Sequence, residues 1–128
     1  MRGSDRLILE RYRCVCFTEA PLAALADGLV NRWDYGRYAP FGLIFDKRWL
    51  YARGARPVIY QPLAEAQDLP PSHRWRHMTY EPNADNPVDF TWEREWRLHA
   101  DELRFDSSCA SIIVPDAEWE ARMLADHE

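Results

Sequence analysis

A chain of 128 residues with 47% hydrophobic and 29% charged content predicts one domain over residues 1–128 with a core of its own. A chain of this size buries about two-thirds of its unfolded surface without metal or disulfide staples. No apolar run approaches the roughly 20 residues that cross a bilayer, and M-R-G-S-D-R opens without the apolar stretch of a secretory signal. These features exclude a membrane partner and predict a cytoplasmic protein, and the odd count of three cysteines agrees.

The net charge of −5 is unevenly spread: residues 1–80 carry twelve basic and eight acidic side chains, residues 81–128 four basic and thirteen acidic. Fifteen of the sixteen cations are arginine, whose forked guanidinium suits carboxylate and phosphate alike. The basic front therefore either pairs internally with the acidic back or lines a site for a phosphate-bearing ligand. Overall acidity argues against nonspecific nucleic-acid binding, which uses a basic face, and leaves nucleic acid only the part of a modification target.

Taken in order, Y-R-C-V-C-F-T over 12–18 alternates and predicts a strand. Thr18 as N-cap, Pro21 in the first turn and Gly28 as a stop predict a helix over 20–27. N-R-W-D-Y-G-R-Y-A-P, 31–40, reads as an aromatic loop, and F-G-L-I-F, 41–45, as a short strand. Asp46 caps a helix of one or two turns that ends at Gly54. P-V-I-Y-Q-P, 57–62, is a strand bounded by prolines. A helical piece over 71–79 and a loop over 81–89 follow. T-W-E-R-E-W-R-L, 91–98, reads as a strand over 90–98 that places Glu93, Glu95 and Arg97 on one face and Arg94, Trp96 and Leu98 on the other. A-S-I-I-V, 110–114, is the last strand, and Asp116 caps a C-terminal helix. The class is α+β, a small mixed or split sheet with short flanking helices.

Few motifs carry chemistry. Cys14-x-Cys16 lacks the second ligand pair of a structural zinc site and reads as small core cysteines. His73 and His77, four apart, lack the glutamate of a zincin helix and read as surface histidines. No metal site is expected. The carboxylate row at Glu93 and Glu95 is either a salt-bridged ladder with Arg97 and neighbouring arginines or a carboxylate facing a cleft.

V-C-F-T-E-A-P-L, R-Y-A-P-F-G-L-I-F-D-K-R-W-L, G-A-R-P-V-I-Y and E-R-E-W-R-L occur in that order over about residues 14–114. Together they resemble the abortive-infection AbiGi family, phage-resistance proteins of antitoxin type. The segment around Tyr38, Phe41, Phe45 and Arg48, with Glu95 ahead of Trp96 and Leu98, is more distantly similar to DarT-like ADP-ribosyltransferases. That likeness implies an ADP-ribosyltransferase-like fold with a cleft between 35–48 and 91–98. It implies NAD as substrate, Arg48 on the pyrophosphate, Tyr38 and Phe41 stacked on nicotinamide with Phe45 beside them, and Glu95 as catalytic acid/base. A carboxylate there would stabilise the oxocarbenium-like charge that develops as the nicotinamide–ribose bond breaks. The antitoxin resemblance implies the other class: a noncatalytic protein that covers a cognate partner, toxin or antitoxin, with its acidic C-terminal third.

Overall fold

The computed structural model describes residues 12–24 and 41–126. The element order is β1 (Val15–Thr18), α1 (Leu22–Ala24), β2 (Gly42–Phe45), α2 (Lys47–Ala52), β3 (Arg56–Pro57), β4 (Ile59–Gln61), β5 (His77–Thr79), β6 (Glu95–Leu98), β7 (Ala110–Ile113) and α3 (Ala117–Asp126). Short 3-10 segments at Leu63–Asp68, Pro71–Arg76 and Thr91–Glu93 fill the connections. The class is α+β, and the expected small mixed or split sheet is three small sheets. The chain divides into two compact units, residues 1–19 with 50–104 and residues 20–49 with 105–128. No helix among the described residues is long and apolar enough to cross a membrane.

In the first unit, β6 lies between β1 and β3, antiparallel to both. Because side chains alternate along a strand, the register Cys16↔Arg97 and Thr18↔Glu95 puts a polar set on one face. Val15↔Leu98 and Phe17↔Trp96 put an apolar set on the other. Leu98 is buried, as are Leu50, Ala55 and Val58, and these make the core of the unit. A parallel pair, β4 with β5, forms a second small sheet.

Glycine is required where α2 ends. Gly54 sits at φ 99°, where its N–H donates to the Tyr51 carbonyl (3.0 Å) while the Ala55 N–H returns to Leu50 (3.1 Å). A Cβ there would lie 3.8 Å from Leu98 Cδ1, ordinary contact, so steric space is available and the backbone alone objects. Gly54→Ala should therefore cost about 1–2 kcal/mol, the penalty for an L-residue in left-handed conformation. Urea denaturation would read this as a lower midpoint at unchanged slope.

In the second unit, β2 pairs antiparallel with β7 from Gly42↔Ile113 to Phe45↔Ala110. Phe41 meets Trp119 of α3 edge-on, ring centroids 5.1 Å apart. Phe45 stacks on Trp49 (5.9 Å) and takes the edge of Phe105 (5.0 Å). Both predicted helix caps form here: Asp46 Oδ1 accepts the N–H groups of Arg48 (2.7 Å) and Trp49 (3.1 Å), and Asp116 Oδ1 accepts that of Trp119 (3.1 Å).

The structure departs from the sequence reading at three places. The strand expected over 90–98 starts only at Glu95. Asp89 Oδ1 accepts both the N–H (2.9 Å) and the hydroxyl (2.6 Å) of Thr91, a local bond that competes with strand pairing. A 3-10 turn follows, then Arg94 at φ 46°, which breaks the alternation and removes Glu93 from the Glu95–Arg97 row. The helical piece expected over 71–79 stops at Arg76, where pairing with β4 draws His77–Thr79 into a strand. His77, read as a surface histidine, is consequently buried, 2% exposed. The strand expected over 57–62 is two strands interrupted at Val58, whose N–H donates to the Glu95 carbonyl at 3.0 Å. The helix expected over 20–27 is described only at Leu22–Ala24, and its remainder, with the 31–40 loop, lies outside the described residues.

Candidate functional site

Glu95 opens β6 on the polar face of the first unit's sheet, and its backbone is fixed from two sides. Its N–H donates to the Tyr60 hydroxyl oxygen (3.1 Å), and that hydroxyl donates onward to the Phe90 carbonyl (3.2 Å). Its carbonyl takes the Val58 N–H. The side chain points along the strand to Arg97, two residues on. Arg97 Nε donates to Oε1 and Nη2 to Oε2, each at 3.2 Å, so both carboxylate oxygens are held by one guanidinium fork. The two side chains are only 11% and 17% exposed, so this is a partly desolvated pair with little solvent screening.

Arg97 has further bonds. Nη1 donates to the carbonyls of Trp75 (3.0 Å) and His77 (2.9 Å), and Nη2 lies 3.4 Å from Met78 Sδ. One guanidinium thereby ties β6 to the 71–79 segment. Arg56 stands opposite Arg97 in the register, where like charges repel. It turns away, bonding the Tyr51 (2.9 Å) and Ala55 (2.7 Å) carbonyls with its guanidinium 3.8 Å from the Tyr51 ring centroid. The fixed Glu95–Arg97 pair is thus separated from the next cation by that cation's own partners.

Cys16, the cross-strand neighbour of Arg97, completes the cluster. Burial of its thiol, with the Glu95 carboxylate beside it accepting its hydrogen bond, pushes its pKa up to about 11 against the lowering influence of Arg97. Burial also pushes Cys14 up, and Cys16 as a residue is exposed, so the cysteines are half-covered rather than the core residues expected. Since the thiolate is the reactive form, a thiol near 11 is about a thousandth ionised at pH 8 and alkylates roughly 100-fold more slowly than an ordinary exposed cysteine. Iodoacetamide labelling mapped by mass spectrometry should show Cys16 lagging at pH 8 and its rate rising about tenfold per unit up to pH 10. Glu95→Gln should speed it, because the negative charge that holds the proton on is gone.

Glu93 is buried, and its carbonyl accepts the Thr18 hydroxyl. Of the other expected site residues, Phe41, Phe45 and Arg48 belong to the second unit and Glu95 to the first. Phe41 and Phe45 stand two residues either side of Leu43 on one face of the β2 ribbon. Arg48 lies in the first turn of α2, exposed, its side chain making no ion pair among the described residues. Tyr38 lies outside the described residues. The guanidinium that Glu95 meets is that of Arg97. His73, Cys109 and His77 fall on separate elements, and no group of three His, Cys, Asp or Glu that could hold a metal occurs among the described residues.

The tie between Tyr60 and Glu95 has no trace in the sequence, because 35 residues separate them and only the pairing of β3 with β6 brings them together. Arg97 as partner of Glu95 is legible from the two-residue period. Set beside known proteins, the chain matches no family model, no curated protein and no solved structure.

Proposed function

We propose that this chain is a partner-binding protein of abortive-infection type, which covers a basic partner protein with its acidic C-terminal third and uses Glu95 to build its fold. The observation that carries this reading is the occupancy of Glu95. A catalytic carboxylate needs an oxygen aimed at the reacting atoms, whereas both Glu95 oxygens are taken by the Arg97 fork and the side chain is nearly enclosed. The acidic third, in contrast, is exposed: Asp101, Glu102, Glu118 and Glu120 all face solvent, and the ion pairs that three of them make with Arg13, Arg104 and Arg122 are solvent-screened surface pairs. Charge of one sign on an accessible surface speeds encounter with a partner of the other sign and excludes like-charged ones.

A second reading has its own support. Arg48 is an exposed guanidinium on the same unit as the exposed ring of Phe41, a combination that suits the pyrophosphate and base of NAD. In that reading the chain has an ADP-ribosyltransferase-like fold and transfers ADP-ribose. Thermal shift with millimolar NAD on the wild type and Arg48→Ala separates the two. Partner binding predicts no NAD stabilisation, together with a salt-sensitive complex with the product of a neighbouring gene that Glu118→Lys/Glu120→Lys weakens. A shift that vanishes in Arg48→Ala would overturn it in favour of the NAD reading.

A further inference from the structure

The second unit carries an apolar face that its described elements leave partly exposed. Side-chain alternation along β2 and β7 puts Leu43 beside its partner Ile112 on the face that also carries Phe45. Leu43 is 45% exposed and Ile112 61%. Aromatic contacts bracket this pair, Phe41 against Trp119 at one end and Phe45 against Phe105 and Trp49 at the other. A central apolar floor with rigid aromatic ends is the composition of an interface anchor.

Charge around the face is unequal at its two ends. At the Phe41 end, residues 116–126 hold four carboxylates, Asp116, Glu118, Glu120 and Asp126, against one cation, Arg122. That cation is already committed to Glu118 at 2.7 Å and lies over the Trp119 ring. At the Phe45 end, Asp46 and Asp106 are balanced by Lys47 and Arg48. Among the described residues, an occupant of this face therefore meets apolar surface in the middle and net negative charge at the Phe41 end.

The geometry points to a docking surface for a protein segment that is apolar along its length and basic at one end, seated on Leu43 and Ile112 with its cations toward α3. This rests on the partner-binding reading and narrows it to a place and an orientation. The apolar floor supplies the affinity, and the acidic end sets direction and salt dependence.

Two fluorescein-labelled octapeptides test it, one with three lysines ahead of a Val-Thr-Val-Thr-Val run and one with three glutamates in their place. Fluorescence anisotropy should show the lysine peptide binding at least tenfold more tightly, with the difference shrinking in high salt. Leu43→Asp and Ile112→Asp should each weaken it tenfold or more. Leu43→Thr and Ile112→Thr, which keep a strand-forming residue on this half-exposed pair, should weaken it in the same direction with the fold retained. Glu118→Lys/Glu120→Lys should reverse the preference between the peptides. Equal binding of both peptides, binding of neither, or indifference to Leu43→Asp would overturn the proposal. So would self-association of the wild type that Leu43→Asp abolishes, which assigns the face to a second copy. A neighbouring-gene product that still binds Leu43→Asp sinks this surface while leaving the partner-binding reading standing.

Discussion

Arg97→Ala is expected to be among the most damaging single substitutions in the chain, costing about 3–5 kcal/mol, the usual result of removing one member of a buried ion pair. The reason is what it strands. The Glu95 carboxylate, 11% exposed, loses its countercharge and the fork on both oxygens, and the Trp75 and His77 carbonyls lose their donor. Each stranded group carries a desolvation cost that the intact bond had offset. Glu95→Gln should be milder, because an amide still offers an oxygen to the guanidinium, which also keeps its bonds to the Trp75 and His77 carbonyls although its countercharge is gone. A double-mutant cycle of Glu95→Ala with Arg97→Ala, read by urea midpoints, should return a coupling of at least about 1 kcal/mol. A total loss below about 1 kcal/mol in Arg97→Ala would mean that water replaces the guanidinium, and the cluster would then be an open site.

The same cycle bears on function through its sign. A residue kept for chemistry often sits at a cost to stability, so that replacing it is neutral or stabilising. A residue kept for the fold is destabilising to remove. Glu95→Ala should destabilise, because it leaves Arg97 with two carbonyls and a thioether but no countercharge. A stabilised Glu95→Ala would instead direct attention back to catalysis and to NAD.

Local chemistry explains which parts of the fold were legible. The caps at Asp46 and Asp116 and the stop at Gly54 are decided within four residues of sequence, and the sequence shows them plainly. The strands Gly42–Phe45 and Ala110–Ile113 are short apolar runs that need no distant information to be recognised. What misled was Thr91. Its alternating neighbourhood reads as strand, yet Asp89 captures its N–H and hydroxyl and turns the chain first. His77 misled for the opposite reason: its spacing from His73 is helical, but the parallel partner β4, some eighteen residues earlier in sequence, decides its conformation. At the candidate site, the Glu95–Arg97 pair was legible because it is local, and Tyr60 and Cys16 were not, because only strand register delivers them.

Leu98→Ala should cost about 2–3 kcal/mol, toward the low end of the range for truncating a buried leucine. Leu98 is 7% exposed on the apolar face of the first unit's sheet, within reach of Gly54. The unit's other buried apolar residues, Leu50, Ala55 and Val58, are of medium or small size, and no large side chain is fully buried among the described residues. A shallow core lets neighbours and solvent relax into the space that the deletion leaves, which limits the cavity contribution. Leu43→Ala, on the exposed face of the second unit, should change stability by less than about 0.5 kcal/mol. Urea midpoints of the two variants, measured side by side, therefore separate apolar surface that folds the chain from apolar surface held in reserve. If Leu43→Ala cost as much as Leu98→Ala, the β2–β7 face would belong to the core and could not serve as a docking surface. With the expected contrast, that face lies open on a fold that does not need it covered, and a partner gains the apolar area that Leu43 and Ile112 leave exposed.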